Sequence, residues 1–279
     1  MADARLAVTP AVAAVDRAVE AAGPDGFPVM VLLHGTRRTR AMWRYQLDGL
    51  SDCFRSIAVD LPAHGALAAV PFRMDDATDL VAAVIEGTAA GRAIVVGSSL
   101  GGYVGMDLAA RRPDLVEGLV LANATAEPRS VARRAPRTVG SYLLVAAGET
   151  LRGRPARTDD EGNGAGGALA GGTAGPTADE GQATSGWLFK GGTRAMVWAL
   201  RQSFIPRLAA YPGPTLILNG AEDTLFRRDE RAFLAAAADG RLELIPATGH
   251  LANEEQPAAF NAAIRRFAAE VRARAATRA

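Results

Sequence analysis

The chain has 279 residues, 49% of them hydrophobic, and 31 Lys and Arg against 30 Asp and Glu leave a net charge of +1. That length buries a full core and suits one domain, or one domain with an insertion. The balanced charge gives no basic footprint for a nucleic-acid partner. A single cysteine, Cys53, excludes an intramolecular disulfide framework and a cysteine-only metal site, and it fits a cytoplasmic location. Residues 1–5 lack a basic stretch followed by an apolar core, so no signal peptide is evident. No uncharged apolar run approaches the roughly 18 to 20 residues of a membrane span.

Residues 1–27 read ambiguously. Ala11 to Ala22 has the alanine content of a helix, while Val12 and Val15 followed by Ala18 to Ala21 suit outer strands; edge strands are the expected reading. Val29 to Leu33 is a continuous apolar strand ending in His34-Gly35-Thr36. A helix is expected from about Met42 to Leu50, a strand from Phe54 to Val59, and a loop over Asp60-Leu-Pro-Ala-His-Gly65. Asp75 to Ala90 carries a helical face of Leu80, Val81, Val84 and Ile85. Ile94-Val95-Val96 is a short buried strand, followed by a helix to Arg112 with Leu100, Val104 and Leu108 on one stripe, and Val116 to Ala122 is the next strand. Such alternation predicts an α/β fold: a doubly wound, mostly parallel sheet with active groups at the strands' C-terminal ends.

The alternation breaks between Glu127 and Tyr211. Residues 130–150 read as helix, 10 of the 34 residues from 153 to 186 are glycine, and Trp187 to Leu208 reads as helix again. The glycine-rich centre has little to bury and a large ordering entropy, so it is expected to be flexible. The expected organisation is a core in two parts, 1–126 and 212–279, with 127–211 inserted above the sheet as a helical lid. Leu143, Leu144, Trp198 and Phe204 would make an apolar roof, suited to a small, largely apolar substrate. After the lid come a strand from Pro214 to Asn219, a helix from about Asp229 to Ala238 and a last strand from Arg241 to Ile245. A final helix opened by Pro257 carries Phe260, Ile264, Phe267 and Val271 on one stripe.

Gly97-Ser98-Ser99-Leu100-Gly101 matches G-x-S-x-G, set between a strand and a helix. A strand that reverses straight into a helix crowds its own turn; Gly97 and Gly101 remove the Cβ atoms that would clash. Ser99 is left in strained geometry with its hydroxyl presented at the strand end. Only three histidines occur, at 34, 64 and 250, each after an expected strand and none with metal-ligand spacing, so no metal and no cofactor are expected. His250 suits the general base and Asp223 the acid that orients it, with Glu222 an adjacent competitor. The order Ser99, Asp223, His250 is that of a doubly wound hydrolase. Asn123, at the end of its strand, offers no carboxylate. The backbone N–H groups of Leu100 and Thr36 are the candidate oxyanion donors. His34 and Gly35 are read as loop-shaping, His64 and Asp60 as loop-holding. Arg37, Arg38 and Arg40 either attract an acidic substrate or form an ordinary solvated loop, the second being the expected reading.

At these residues the chain resembles the α/β-hydrolase fold family, nearest the small serine hydrolases related to 3-oxoadipate enol-lactonase and the pimeloyl-carrier methyl ester esterases. The likeness lies in Leu33-His-Gly-Thr36, Asp60-Leu-Pro-Ala-His-Gly65, Gly97-Ser-Ser-Leu-Gly-Gly102, Leu119-Val-Leu-Ala-Asn123, Gly220-Ala-Glu-Asp223 and Gly249-His250. It covers about residues 28–125 and 212–272. The resemblance implies a triad of Ser99, Asp223 and His250, an oxyanion hole from Thr36 and Leu100, and a lid over 127–211. Ala63 stands where the family commonly has glycine, and the glycine-rich lid centre departs from a compact helical cap. Epoxide and haloalkane hydrolases of this fold carry an aspartate at the elbow, and Ser99 argues against them. The implied activity is cleavage of a small carboxylic ester or lactone. Thioester or carbon–carbon hydrolysis on the same triad, and a non-catalytic binding protein with a retained pocket, stay open.

Overall fold

The computed structural model describes residues 10–125, 127–129, 195 and 197–277. After a 3-10 turn at Val12–Ala14 come α1 (Val15–Ala18), β1 (Val19–Ala22), β2 (Val29–Leu33), α2 (Arg44–Gly49), β3 (Arg55–Val59) and α3 (Met74–Glu86). The chain continues through β4 (Ala93–Ser98), α4 (Leu100–Arg111) and β5 (Val116–Ala122). Beyond the insertion lie α5 (Ile205–Ala210), β6 (Pro214–Gly220), α6 (Glu230–Ala236), β7 (Asp239–Ile245), α7 (Ala252–Glu255) and α8 (Pro257–Ala276). The described strands form one seven-stranded sheet in the order β1-β3-β2-β4-β5-β6-β7. Only β1 runs antiparallel to its neighbour.

The central strands β2 and β4 read as apolar runs because both faces of the sheet are covered there. In β2, Val31 and Leu33 join the core beneath α3 and α4, whereas Met30 and Leu32 join the core beneath α2 and α8. In β4, Val95 faces the first side, Ile94 and Val96 the second. The stripe of Phe260, Ile264, Phe267 and Val271 closes the second core, as the helical period requires. It comes so close to β5 that a Cβ on Gly118 would lie 3.0 Å from Phe267 and Val271. Basic residues of α8 form surface ion pairs: Arg265 with Asp52, Arg266 with Glu243, Arg274 with Asp239.

Two expectations change. The edge strand begins only at Val19; Val12 to Ala18 is helical, because Ala11, Ala14 and Ala18 recur at near-helical spacing and bury completely or almost so against the α3 side. The expected helix from Trp187 to Leu208 is interrupted: described helix ends at Ala199 and restarts at Ile205, with Pro206 in the first turn of α5. Phe204 between them stacks on Tyr103 of α4 at 4.6 Å and meets Trp198 edge-on at 6.0 Å. The segment just before α5 is thereby anchored on the core. The expected helix at 130–150, the glycine-rich stretch at 153–186 and the roof residues Leu143 and Leu144 lie outside the described residues. Among the described residues, no helix is long and apolar enough to cross a membrane.

Candidate active site

The parallel register aligns the C-terminal ends of β2, β4, β5, β6 and β7. Leu33 pairs with Gly97, Ser98 with Ala122, Ala122 with Leu218 and Gly220 with Ile245. Backbone hydrogen bonds then stitch the following loops into one rim. Ser99 N donates to Ala122 O at 3.0 Å, Asn123 N to Leu218 O at 3.1 Å, and Glu222 N to Thr248 O at 2.9 Å.

Ser99 sits at the sharpest turn of that rim, with φ 48° and ψ −108°, a region L-residues rarely occupy. Its neighbours show why the sequence has glycines there. A Cβ on Gly97 would lie 2.3 Å from Gly101 O, and one on Gly101 would lie 2.2 Å from Leu33 O. Real side chains do not fit at such distances. Gly35 brings the loop after β2 against the turn, since a Cβ there would be 3.4 Å from the Ser99 Cβ. Leu100 opens α4, so its N–H belongs to the first turn, whose donors have no partner within the helix. Thr36 follows Gly35, and its buried Oγ1 has no hydrogen-bond partner.

His250 Nδ1 lies 2.7 Å from Asp223 Oδ2. With Nδ1 donating to the carboxylate, Nε2 is the accepting nitrogen of a neutral ring. Asp223 is buried and Glu222 exposed, so geometry separates the two adjacent carboxylates. Asp223 also accepts from Phe226 N at 3.5 Å, and the Phe226 ring packs against the His250 ring at 4.3 Å between centroids. Gly220 must be small for the loops to meet, because a Cβ there would lie 2.1 Å from Gly249 O. Tyr103 in α4 lies within the field of Asp223; burial first, and that charge second, push its hydroxyl pKa up.

The other two histidines have different work. His34 Nε2 accepts from Leu61 N at 3.0 Å and Nδ1 donates to Gly35 O at 2.8 Å. His64 Nε2 accepts from Arg37 N at 3.3 Å and Nδ1 donates to Pro62 O at 2.9 Å. Both rings are thus neutral braces between the loops after β2 and β3, 4.9 Å apart. Burial pushes the pKa of His34 well down, the neighbouring His64 adding to it, and burial pushes His64 down as well. Asp60 completes the brace: it accepts from Arg40 N at 2.7 Å and Ala66 N at 2.9 Å and is paired with the Arg40 guanidinium. Gly65 makes room for that carboxylate; a Cβ would lie 2.1 Å from its Oδ2. Arg40 is therefore committed inward, and Arg38 lies 3.8 Å from Glu254. Ala63, the departure from glycine, has φ 67°, the left-handed conformation in which a Cβ is a burden.

Three contributors to this rim escape a reading of motifs. Asn123 registers in the sequence only as a missing carboxylate, Phe226 as one apolar residue in a loop, and Glu255, which accepts from Gly249 N at 2.7 Å, as one of many surface charges. Among the described residues, no cluster of His, Cys, Asp and Glu has the makings of a metal site.

Residues 30–263 match the alpha/beta hydrolase family. The chain belongs to that family. Among curated relatives, it is similar to a pimeloyl-[acyl-carrier protein] methyl ester esterase from Nitrosomonas europaea, 39% identical over 103 residues. That match spans 37% of this chain and 38% of the relative. Similarity to epoxide hydrolase 3 of Xenopus tropicalis is 36% over 110 residues, 37% of this chain and 29% of the relative. The chain thus spans well under half the length of the relatives it matches. Among solved structures, a thermophilic esterase from Thermogutta terrifontis superposes with a TM-score of 0.66 at 25% identity, over 91% of this chain and 93% of that one. This family member therefore carries the hydrolase sheet with an insertion between β5 and β6, where the sequence places a lid.

Proposed function

We propose that this chain is a serine-dependent hydrolase that cleaves a small-molecule carboxylic ester or lactone through an acyl-enzyme on Ser99. The observation that carries the reading is the Asp223–His250 hydrogen bond of 2.7 Å on the rim where Ser99 occupies its strained elbow. His250 Nε2 accepts the Ser99 proton as Oγ attacks the carbonyl carbon. The negative charge that develops on the carbonyl oxygen is met by the N–H groups of Leu100 and Thr36, reinforced by the N-terminus of α4. Asp223 keeps the imidazole in the tautomer that can accept and stabilises the imidazolium that forms. The protonated imidazole then returns its proton to the leaving alkoxide. Water attacks the acyl-enzyme by the same route and releases the carboxylic acid. In a lactone the leaving group stays tethered, and the same steps open the ring.

No step calls on a metal or cofactor. The two esterases among the relatives support a carboxylic ester over the epoxide named for the third, which agrees with serine at the elbow. Phe204, expected in the apolar roof, is fully buried in the core, so the reading of a largely apolar acyl group rests on the partly exposed Trp198. Active-site labelling tests the reading directly. A fluorophosphonate should add once, to Ser99, and short p-nitrophenyl esters should turn over in the wild type and not in S99A or H250A. A folded wild type that neither labels nor turns over these esters would leave a binding protein in place of an enzyme.

A further inference from the structure

Asn123 follows β5 with φ 47° and is 2% exposed. Its Nδ2 donates to Asp223 Oδ2 at 3.2 Å and to Gly249 O at 2.9 Å. Those acceptors lie on two loops, after β6 and after β7, 100 and 126 residues away in the chain. One amide therefore touches the acid and the peptide that carries the base. The oxygen it contacts on Asp223 is the one that receives His250 Nδ1. Glu255 of α7 accepts from Gly249 N at 2.7 Å and from Leu251 N at 3.1 Å, in the peptides before and after the one Asn123 contacts, bracketing His250. Gly249 is thus held by its oxygen from the buried side and by its nitrogen from the surface.

We infer that Asn123 is a positioning residue that locks Asp223 and His250 into one unit, with Glu255 as the outer half of the same clamp. The inference rests on the proposed hydrolase reading. A loop that shifted by an ångström would carry the imidazole out of line with Ser99, a displacement that costs about a hundredfold in rate. The residue type follows from three demands at one position: left-handed backbone, a side chain short enough to stay buried, and a donor for two acceptors. Asparagine meets all three, and aspartate meets only the first two. It also explains why this strand ends in an amide where a carboxylate would repel Asp223.

N123G tests the side chain without adding backbone strain, since glycine accepts φ 47°. Its kcat for a p-nitrophenyl ester should fall about ten- to a hundredfold with KM within about twofold, and fluorophosphonate labelling of Ser99 should slow in parallel. N123D keeps size and backbone preference, but a carboxyl group held against the Asp223 carboxylate stays protonated and can donate to only one of the two acceptors, so its kcat should also fall, by less than that of N123G. E255A should lower kcat less than N123G, the carboxylate being exposed. A role confined to stability would lower Tm in N123G and leave kcat and labelling rate unchanged, and that outcome overturns the inference. If S99A and H250A are dead while N123G and N123D behave as wild type, the clamp fails and the hydrolase reading stands. If S99A or H250A retains activity, the hydrolase reading itself fails.

Discussion

Replacing Ser99 by glycine should make the protein more stable while abolishing its chemistry. Ser99 holds φ 48° with ψ −108°, a region that residues bearing a Cβ rarely occupy. A residue other than glycine in so sparse a region costs about 1 to 3 kcal/mol. Glycine removes that strain but brings a more flexible unfolded chain, an offset of about 0.5 to 1 kcal/mol. At the midpoints of these ranges the net gain is about 1 kcal/mol. For a domain of this size each kcal/mol moves Tm by about 2 to 4 °C, so S99G should melt about 2 to 4 °C above wild type. S99A is the control: it loses the hydroxyl, keeps a Cβ, and should stay within about 0.5 kcal/mol of wild type. Urea unfolding of the three proteins at pH 7.5, with unchanged m-values, measures the difference. If S99G is no more stable than S99A, the elbow stores no strain and the argument for the turn is wrong.

Acidification should destabilise the fold before any carboxylate titrates. His34 and His64 stay neutral when folded, whereas in the unfolded chain they gain protons near pH 6.5; the unfolded state then binds more protons and stability falls as pH drops below about 6.5. The urea midpoint should therefore decline from pH 7.5 to 5.5 and decline less steeply in H64Q; a flat midpoint would refute the neutral brace. D223N should lower kcat by about 10³- to 10⁴-fold with KM little changed, while E222Q remains within about twofold; the reverse pattern would move the acid to Glu222. A63G should gain about 0.5 to 1 kcal/mol in the same unfolding assay, because φ 67° is strained for alanine and open to glycine.

The sheet and the order of its elements are legible in the sequence because the central strands β2, β4, β5 and β6 are largely apolar runs buried on both faces. The intervening helices show apolar stripes, as in Leu80, Val81, Val84 and Ile85 of α3. Periodicity of that kind survives any detail of the loops. The N-terminal segment is ambiguous in sequence because alanine suits a helix and is tolerated in an edge strand; packing of Ala11, Ala14 and Ala18 makes it helical, and packing is a property of the partner. The helix before α5 broke where Phe204 turned to stack on Tyr103, a contact made 101 residues away in the chain. The elbow is the most legible part of the site because the clash relieved by Gly97 lies only four residues away, at Gly101 O, whereas the space Gly101 leaves for Leu33 of β2 shows only in the fold. The clamp by Asn123 was not legible, since both acceptors lie on loops that only the sheet brings together.

Backbone strain is also distributed along the rim. Among the described residues, the non-glycine positions with positive φ are Arg37, Ala63, Ser99, Asn123 and Ala247. They follow β2, β3, β4, β5 and β7, each within four residues of the strand's end. A parallel sheet supplies the reason. Its strands are interlocked on both faces, so the reversal into each following loop must happen in a few residues at the same edge. That edge is also where a reacting group is needed, held against relaxation by neighbours that cannot move. Hydrogen bonds from Ser99 N to Ala122 O and from Asn123 N to Leu218 O fix two of the turns, and His34 and His64 brace the turns after β2 and β3. Strain at Ser99 is then a consequence of placing a side chain where the backbone would choose glycine. The strands beneath it, buried to the last residue, are what make the cost of each such turn, about 1 to 3 kcal/mol, bearable.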